Sequence, residues 1–141
     1  MDVGEICCHE QFYRDTTGQL RAKYFLVLAR TEQGDVIARL LTSRYREFRP
    51  VEPPCHHGDP YPGFFLGILG GLLTRETWLD LRQFDDLDVD AVAIGLRKGL
   101  IRPVMRLDSP RLRAAMECAA GADDTTRQQE RRIRDALAAL Q

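Results

Sequence analysis

The sequence predicts a mainly β fold with C-terminal helices (α+β), whose strands form a small, mostly antiparallel, barrel-like sheet. Two observations lead to this prediction. Two apolar runs of strand length, 23–30 and 36–43, are joined by the turn-forming residues TEQGD, which is typical of a β-hairpin. The last third of the chain instead places apolar residues at helical spacing.

The other strands are assigned from alternation and from turn residues at their ends. A short first strand over 2–9 precedes the hairpin, and alternating side chains indicate a further strand over 76–84. The run 63–73 is ambiguous between a strand pair and a short buried segment, because its glycines weaken either element. The strand predicted over 100–107 should lie at an edge of the sheet, because Pro103 has no N–H to donate.

Three helices are predicted near the C-terminus. The first covers 88–99, and the second begins with Ser109 as N-cap and Pro110 at its first position, and ends at Gly121. The third covers 125–140 and has a narrow apolar stripe opposite a charged face. This stripe should cover either the chain's own domain or another chain. The stripe residues predicted to contact a partner are Ile133 and Leu137.

Length and composition indicate one ordinary globular domain. Of the 141 residues 44% are hydrophobic and 29% are charged, and the formal net charge is −1. No overall field therefore attracts nucleic acid or an anionic membrane, and a polyanion site has to be a local patch. We find no signal-peptide pattern, and the longest apolar run is about half a membrane span. The chain is predicted to be cytoplasmic and to make no membrane contact, with cysteines that are thiols or metal ligands rather than disulfides.

Cysteine and histidine are concentrated in two triplets, 7–9 and 55–57. A tetrahedral zinc site would combine residues of both triplets, but their spacing is not that of structural zinc sites. A histidine of the second triplet is a possible general base. We favour a third interpretation, in which the proline-rich stretch 51–64 is a rigid surface loop without metal or cofactor. The loop residues predicted to contact a protein partner are His56, His57 and Tyr61.

The sequence RYREFRP, 44–50, interleaves arginines with aromatic rings. Such a stretch suits single-stranded RNA, because the rings stack on bases while the guanidinium groups bind phosphates. It suits an ordinary solvated edge strand equally well. The residues predicted to contact RNA are Arg44, Tyr45, Arg46 and Arg49.

Four pieces of the chain resemble the MazF/PemK-like toxins, which are mRNA interferases with an SH3-like barrel. VGEICC resembles their first strand, RAKYFLVLA the strand that begins with a basic residue, and VIARLLTS the next strand, which ends in Thr or Ser. WLDLRQFDDLD and KGLIRPVMRLDSPRLRAAMECA resemble their closing strands and terminal helix. The resemblance implies a small SH3-like antiparallel barrel over 1–121. The stretch at about 44–75 has no clear counterpart in the family and is predicted to be an insertion, and the C-terminal amphipathic helix, 122–141, runs past the family's usual end.

The resemblance also implies an activity, which is metal-independent cleavage of single-stranded RNA by a homodimer that an antitoxin-like protein restrains. Cleavage requires groups that move protons at the ribose 2′-OH and the leaving oxygen, and a cation that stabilises charge on phosphorus. Matched by position, the main residues are Lys23, where the family has arginine, and Thr42. Arg21, which lies two residues before Lys23 and hence on the same face if the strand extends that far, and Ser43 would assist them. The alternative is a non-catalytic SH3-like protein-binding module, for example one encoded on a mobile element.

Overall fold

The architecture is that of a computed structural model, which describes residues 1–44, 51–59, 61–84 and 87–140. The strands in chain order are β1 (Glu5–Arg14), β2 (Leu20–Arg30), β3 (Val36–Thr42), β4 (Cys55–His56), β5 (Gly63–Gly67), β6 (Thr77–Asp80) and β7 (Ile101–Arg106). The helices are α1 (Val89–Arg97), α2 (Ser109–Ala120) and α3 (Arg127–Ala139).

The strands form one seven-stranded sheet in the order β4-β5-β6-β3-β2-β1-β7. Each strand runs antiparallel to its neighbours. Over the described ranges the sheet is not closed into a barrel, because β4 and β7 lie at its two ends. The predicted class, mainly β with C-terminal helices (α+β), is confirmed, whereas the predicted closed barrel is not seen.

Strand β2 separates two apolar cores. Side chains of a strand point alternately to its two faces, so Leu26 and Leu28 enter one core while Phe25 and Val27 enter the other. Helices α2 and α3 contribute to the first core and α1 to the second. The start of β2, 20–24, is only partly buried or exposed. Tyr24 packs against the first core, and the residues before it extend beyond both cores and are available to a surface site.

The helix boundaries follow their caps. The N-cap of α2 is Asp108, whose carboxylate accepts a hydrogen bond from the Arg111 backbone N–H at 3.2 Å. The prediction of Ser109 as the cap is wrong by one residue, and Gly121 ends the helix as predicted. Gly99, at the predicted end of the first helix, has a φ of +70°, which glycine adopts easily in the turn after α1. Among the described residues, every helix is too short or too polar to cross a bilayer.

Helix α3 packs against its own chain. Ile133 is 0% exposed and Leu137 is partly buried against the larger core. The buried Arg39 of β3 also reaches the helix, where its Nη2 donates to the Gln129 side-chain oxygen at 3.2 Å. The apolar stripe therefore covers the chain's own domain, and Ile133 has no exposed surface with which to contact a partner.

The described part of the predicted insertion, 44–75, contributes strands to the sheet and is more than a surface loop. Phe64 and Leu66 of β5 enter the larger core. Cys55 of β4 forms a disulfide with Cys118 of α2, 63 positions later in the sequence. The prediction of thiols or metal ligands is wrong for this pair, because the fold brings two distant cysteines together. The other two cysteines, Cys7 and Cys8, are free and buried.

Candidate functional site

A cavity of about 360 Å³ lies where β2 begins and β3 ends. Residues 72–75, which precede β6, close its other side. Its lining includes the polar and aromatic side chains of Tyr13, Lys23, Thr42, Ser43, Arg44 and Arg75. The cavity thus combines cations, hydroxyl groups and an aromatic ring where the central strands β2 and β3 meet at their ends.

The register of the sheet explains why Lys23 and Thr42 meet in this cavity. The β2–β3 ladder pairs Phe25 with Leu40, and two further steps along each strand reach Lys23 and Thr42. On the outer sides, Lys23 pairs with His9 of β1, and Thr42 pairs with Trp78 of β6. Both residues are therefore held from two sides by neighbouring strands.

Lys23 lies in an environment that disfavours its positive charge. Burial lowers the pKa of its ammonium group, and the nearby Arg44 guanidinium lowers this pKa further, whereas the Asp80 carboxylate opposes the shift. The Lys23 Nζ atom also lies 5.9 Å from the centre of the Tyr13 ring, within the range of a cation–π interaction. An anion in the cavity would relieve the repulsion between these two cations.

Thr42 and the residues after it form a local turn. The Arg44 backbone N–H donates to Thr42 Oγ1 at 3.2 Å. This bond uses an oxygen lone pair, so the hydroxyl hydrogen of Thr42 can be donated to a ligand. Ser43 and Arg44 are exposed. The end of β3 therefore presents hydroxyl donors and an exposed cation to the cavity.

Arg21 does not line the cavity. Its Nε donates to the Asp15 carboxylate at 2.7 Å, in the turn between β1 and β2. Hydrogen bonds from Thr17 and Arg21 hold the pKa of Asp15 well below its usual range. The alternation that places Arg21 on the face of Lys23 is thus outweighed by an ion pair within the turn. The predicted assistance of Arg21 to Lys23 stays a prediction, and it requires Arg21 to leave Asp15.

The predicted RNA-contacting residues are only partly described. Arg44 lies in the cavity wall. Tyr45, Arg46 and Arg49 lie outside the described residues.

The predicted partner-contacting residues make contacts within the chain. The Tyr61 ring lies under the Arg82 guanidinium, 3.7 Å from its carbon, and Arg82 in turn binds the buried Asp80 carboxylate at 2.8 Å. The His56 ring lies 6.0 Å from the Trp78 ring. Of this group, His57 keeps the most solvent exposure.

Tyr13 and Arg75 of the cavity lining were not among the predicted site residues. Tyr13 lies in the second half of β1, which extends to Arg14 rather than ending near His9. The pairing of β1 with β2 has a register shift between His9 and Tyr13, so the alternation of side chains is not continuous along β1. Arg75 reaches the cavity because the chain turns back at the Gly70–Leu73 bridge. No local pattern in the sequence indicates that return.

A second cluster of chemically active side chains lies beside α2. Ligand atoms of Cys55, His57 and Cys118 lie within 4.8 Å of one another. This cluster differs from the zinc site considered from the sequence, which would combine residues of both triplets. Cys7 and Cys8 are buried within the sheet and belong to no such cluster among the described residues.

No protein-family model, no curated protein and no solved structure matches this chain. A functional conclusion therefore depends on the chemistry of the cavity and of the cysteine–histidine cluster.

Proposed function

We propose that this protein binds the backbone of single-stranded RNA in the cavity and cleaves it without a metal ion, as the resemblance to MazF/PemK-like toxins implies. The observation that carries the proposal is the convergence of Lys23, Thr42, Ser43 and Arg44 on one cavity. A phosphodiester needs a cation and hydrogen-bond donors around its oxygens, and this wall offers both.

The charges of the cavity suit a phosphate group. Lys23 and Arg44 lie close enough for the charge of Arg44 to lower the pKa of Lys23. Arg75 adds a third cation to the lining. A phosphate between these groups pairs with the cations and reduces their mutual repulsion, so the local patch compensates for an overall charge of −1.

The aromatic side of the cavity suits a nucleotide base. Tyr13 is 41% exposed, although it is a large ring. Stacking of a base on an exposed tyrosine contributes about 1–3 kcal/mol and tolerates any base, as a sequence-tolerant RNA site requires. A nucleotide in the cavity would therefore place its base on Tyr13 and its phosphate near Lys23.

The proposed reaction is an attack of the ribose 2′-OH on the adjacent phosphorus. The 2′-OH proton goes to solvent, the bond to the 5′-oxygen breaks, and a 2′,3′-cyclic phosphate and a 5′-OH result. Thr42 donates a hydrogen bond to a phosphate oxygen, and Arg44 stabilises the extra negative charge. Lys23 gives its proton to the leaving 5′-oxygen, since its lowered pKa makes it a stronger acid than an ordinary lysine.

An RNA cleavage assay tests this function. Purified protein is incubated with long single-stranded RNA in EDTA, together with the variants Lys23→Ala and Thr42→Ala. Lys98→Ala is the matched control, because Lys98 is exposed at the end of α1. We expect metal-independent cleavage that both cavity variants reduce by about 10²-fold or more and that the control retains.

The outcomes separate binding from catalysis. If the wild type binds RNA without cutting it, and Lys23→Ala weakens the binding, the cavity is an RNA site without nuclease activity. If the wild type neither binds nor cuts RNA, the proposal is wrong. Cleavage that is unchanged in both cavity variants would point to a contaminating nuclease and would equally refute it.

Other features belong to the same proposal. The resemblance implies an SH3-like arrangement of the strands, a homodimer and restraint by an antitoxin-like protein, and we propose a cytoplasmic location with them. A disulfide is unusual in the cytosol, so we propose that Cys55 and Cys118 are reduced there. Sedimentation of the purified chain, alone and with a candidate antitoxin, measures the assembly state.

The alternative function, a non-catalytic SH3-like protein-binding module, is favoured by one observation. Leu72, in the cavity wall, and the nearby Ile68 are 62% and 59% exposed. Exposed large apolar side chains beside a cavity are common at protein interfaces. The RNA assay distinguishes the two functions, since this module would not respond to RNA.

A further inference from the structure

Three potential metal ligands from separate parts of the chain meet beside the sheet. Cys55 lies on β4, His57 follows directly after that strand, and Cys118 lies near the end of α2. The two sulfurs form the disulfide, and His57 Nε2 lies 3.3 Å from Cys55 Sγ and 3.5 Å from Cys118 Sγ. An imidazole nitrogen is thus already placed beside both sulfurs.

We propose that reduction of the disulfide converts this cluster into a zinc-binding site with Cys55, His57 and Cys118 as ligands. Zn–S bonds of about 2.3 Å and Zn–N bonds of about 2.0–2.1 Å in a tetrahedron place nitrogen and sulfur ligands about 3.5 Å apart. The observed nitrogen–sulfur separations of 3.3 and 3.5 Å agree with this value. The sulfurs have to move apart, to about 3.8 Å on the same geometry.

The surroundings provide support on one side and access on the other. Cys55 is fixed by its pairing with Phe64 in the sheet, and Cys118 is 3% exposed on α2. His57 is exposed, so an ion would enter from its side, where water can supply a fourth ligand. A Cβ atom on Gly121 would lie 3.1 Å from His57 Cε1, so this glycine leaves room for the imidazole ring.

The conversion is a two-electron reduction followed by proton release. A dithiol in the cell gives two electrons and two protons to the disulfide and becomes a disulfide itself. Zn²⁺ then displaces both thiol protons, because cysteine ligates as the thiolate. His57 Nε2 has to offer its lone pair, so its contact with the Cys118 carbonyl oxygen, at 2.9 Å, is given up and the ring proton lies on Nδ1.

The reverse reaction needs an oxidant of the disulfide or peroxide class. It removes two electrons from the two thiolates, the sulfur–sulfur bond forms again, and Zn²⁺ is released. The site would therefore exist in either of two states, a disulfide or a metal centre. This inference does not depend on the proposed nuclease activity, because the cluster shares no residue with the cavity lining.

Metal titration of the full chain tests the inference. The protein is reduced anaerobically with a phosphine, which takes up oxygen from water as it reduces the disulfide, and is titrated with Co²⁺ and Zn²⁺. We expect one ion per reduced chain, with the thiolate-to-cobalt charge-transfer band and the ligand-field absorption of a tetrahedral site. The oxidised protein should bind no ion at this site.

Variants identify the ligands. His57→Gln should weaken Zn²⁺ binding more than about 10-fold, since losing a ligand costs at least as much as losing a group that orients one. His56→Gln, at the neighbouring position, is the matched control and should leave the affinity unchanged. Cys118→Ser should abolish the charge-transfer intensity of one thiolate. Gly121→Ala keeps every ligand and should weaken binding severalfold by displacing the imidazole ring.

The inference is wrong if the reduced wild type binds no Zn²⁺. It is also wrong if His57→Gln and Cys118→Ser each bind Zn²⁺ as tightly as the wild type does. A site that is lost in Cys7→Ser instead would show that the buried free cysteines bind the ion after partial unfolding, which also overturns the inference. Circular dichroism of each variant establishes that it is folded before its affinity is compared.

Discussion

Breaking the link between β4 and α2 should lower the stability of the fold by an amount that follows from the length of chain it closes. Cys55 and Cys118 are separated by 63 positions. In the chain-entropy treatment, a loop of that length restricts the unfolded chain by about 4 kcal/mol at 25 °C. We expect reduction of the wild type to decrease the free energy of unfolding by that amount, with native-state relaxation making the measured value smaller.

Urea unfolding, followed by circular dichroism in EDTA, measures this difference between oxidised and reduced protein. The double variant Cys55→Ser/Cys118→Ser is the control, because its midpoint should not respond to a reductant. A decrease below about 1 kcal/mol for the wild type would refute the reasoning, since it lies well under the usual range for a disulfide. In the same assay without EDTA, free Zn²⁺ at 100 times its dissociation constant for the proposed zinc site should raise the free energy of unfolding of the reduced protein by about 2.7 kcal/mol.

Three further predictions concern the core, the cavity and the buried thiols. Ile133→Ala should destabilise the protein by about 3 kcal/mol, because removing a fully buried isoleucine side chain leaves a cavity. Ile94→Ala, at a 42% exposed site, is the control. Equal decreases in the free energy of urea unfolding for the two variants would contradict the packing of α3. The rate of RNA cleavage should decrease as the pH rises, because the required ammonium form of Lys23 is lost above its pKa. Since this pKa is lowered, the decrease should begin at a lower pH than it would for an ordinary lysine. Lys23→Arg should move this fall upward in a pH–rate profile, and an unmoved profile would exclude Lys23 as the acid. Burial raises the pKa of Cys7 to about 11, so the native oxidised protein should resist alkylation at pH 8. After denaturation it should be alkylated at two thiols, Cys7 and Cys8, which mass spectrometry can count. Fast labelling of the native protein would show that these thiols are not buried.

The elements that the sequence predicts well are those whose contacts are local. The hairpin of β2 and β3 follows from two apolar runs around Gly34, and α3 follows from the spacing of Ile133 and Leu137. The cap of α2 was misplaced by one residue because Asp108 and Ser109 are both good N-cap residues, and only the backbone geometry selects Asp108. Local signals of equal strength cannot be ranked without the fold.

The elements that the sequence does not predict are those made by distant partners. Cys118 lies in an ordinary helical pattern, so nothing near it indicates a bond to Cys55. The pairing of β4 with β5 likewise depends on the path of residues 51–59 beside the sheet. The prolines of that stretch indicate a loop, so the sequence does not predict a strand there.

The cavity illustrates the same division. Lys23 and Thr42 were selected by their positions at strand ends, and the antiparallel register brings these ends together. Arg21 was added because of its spacing from Lys23, but the spacing does not reveal the competing carboxylate of Asp15. Tyr13 was missed because a register shift interrupts the alternation of β1. Side-chain partners across a turn therefore limit prediction more than strand assignment does.

The two ends of the sheet have a consequence for self-association. Strand β4 has only two residues, and β7 has an exposed Arg102 next to Pro103, which lacks a backbone donor. Short edge strands, charges and prolines all hinder the addition of a further strand. We therefore expect copies of this chain to resist fibrous, strand-to-strand aggregation at high concentration, and a stable dimer to form through a sheet face or a helix rather than by continuing the sheet.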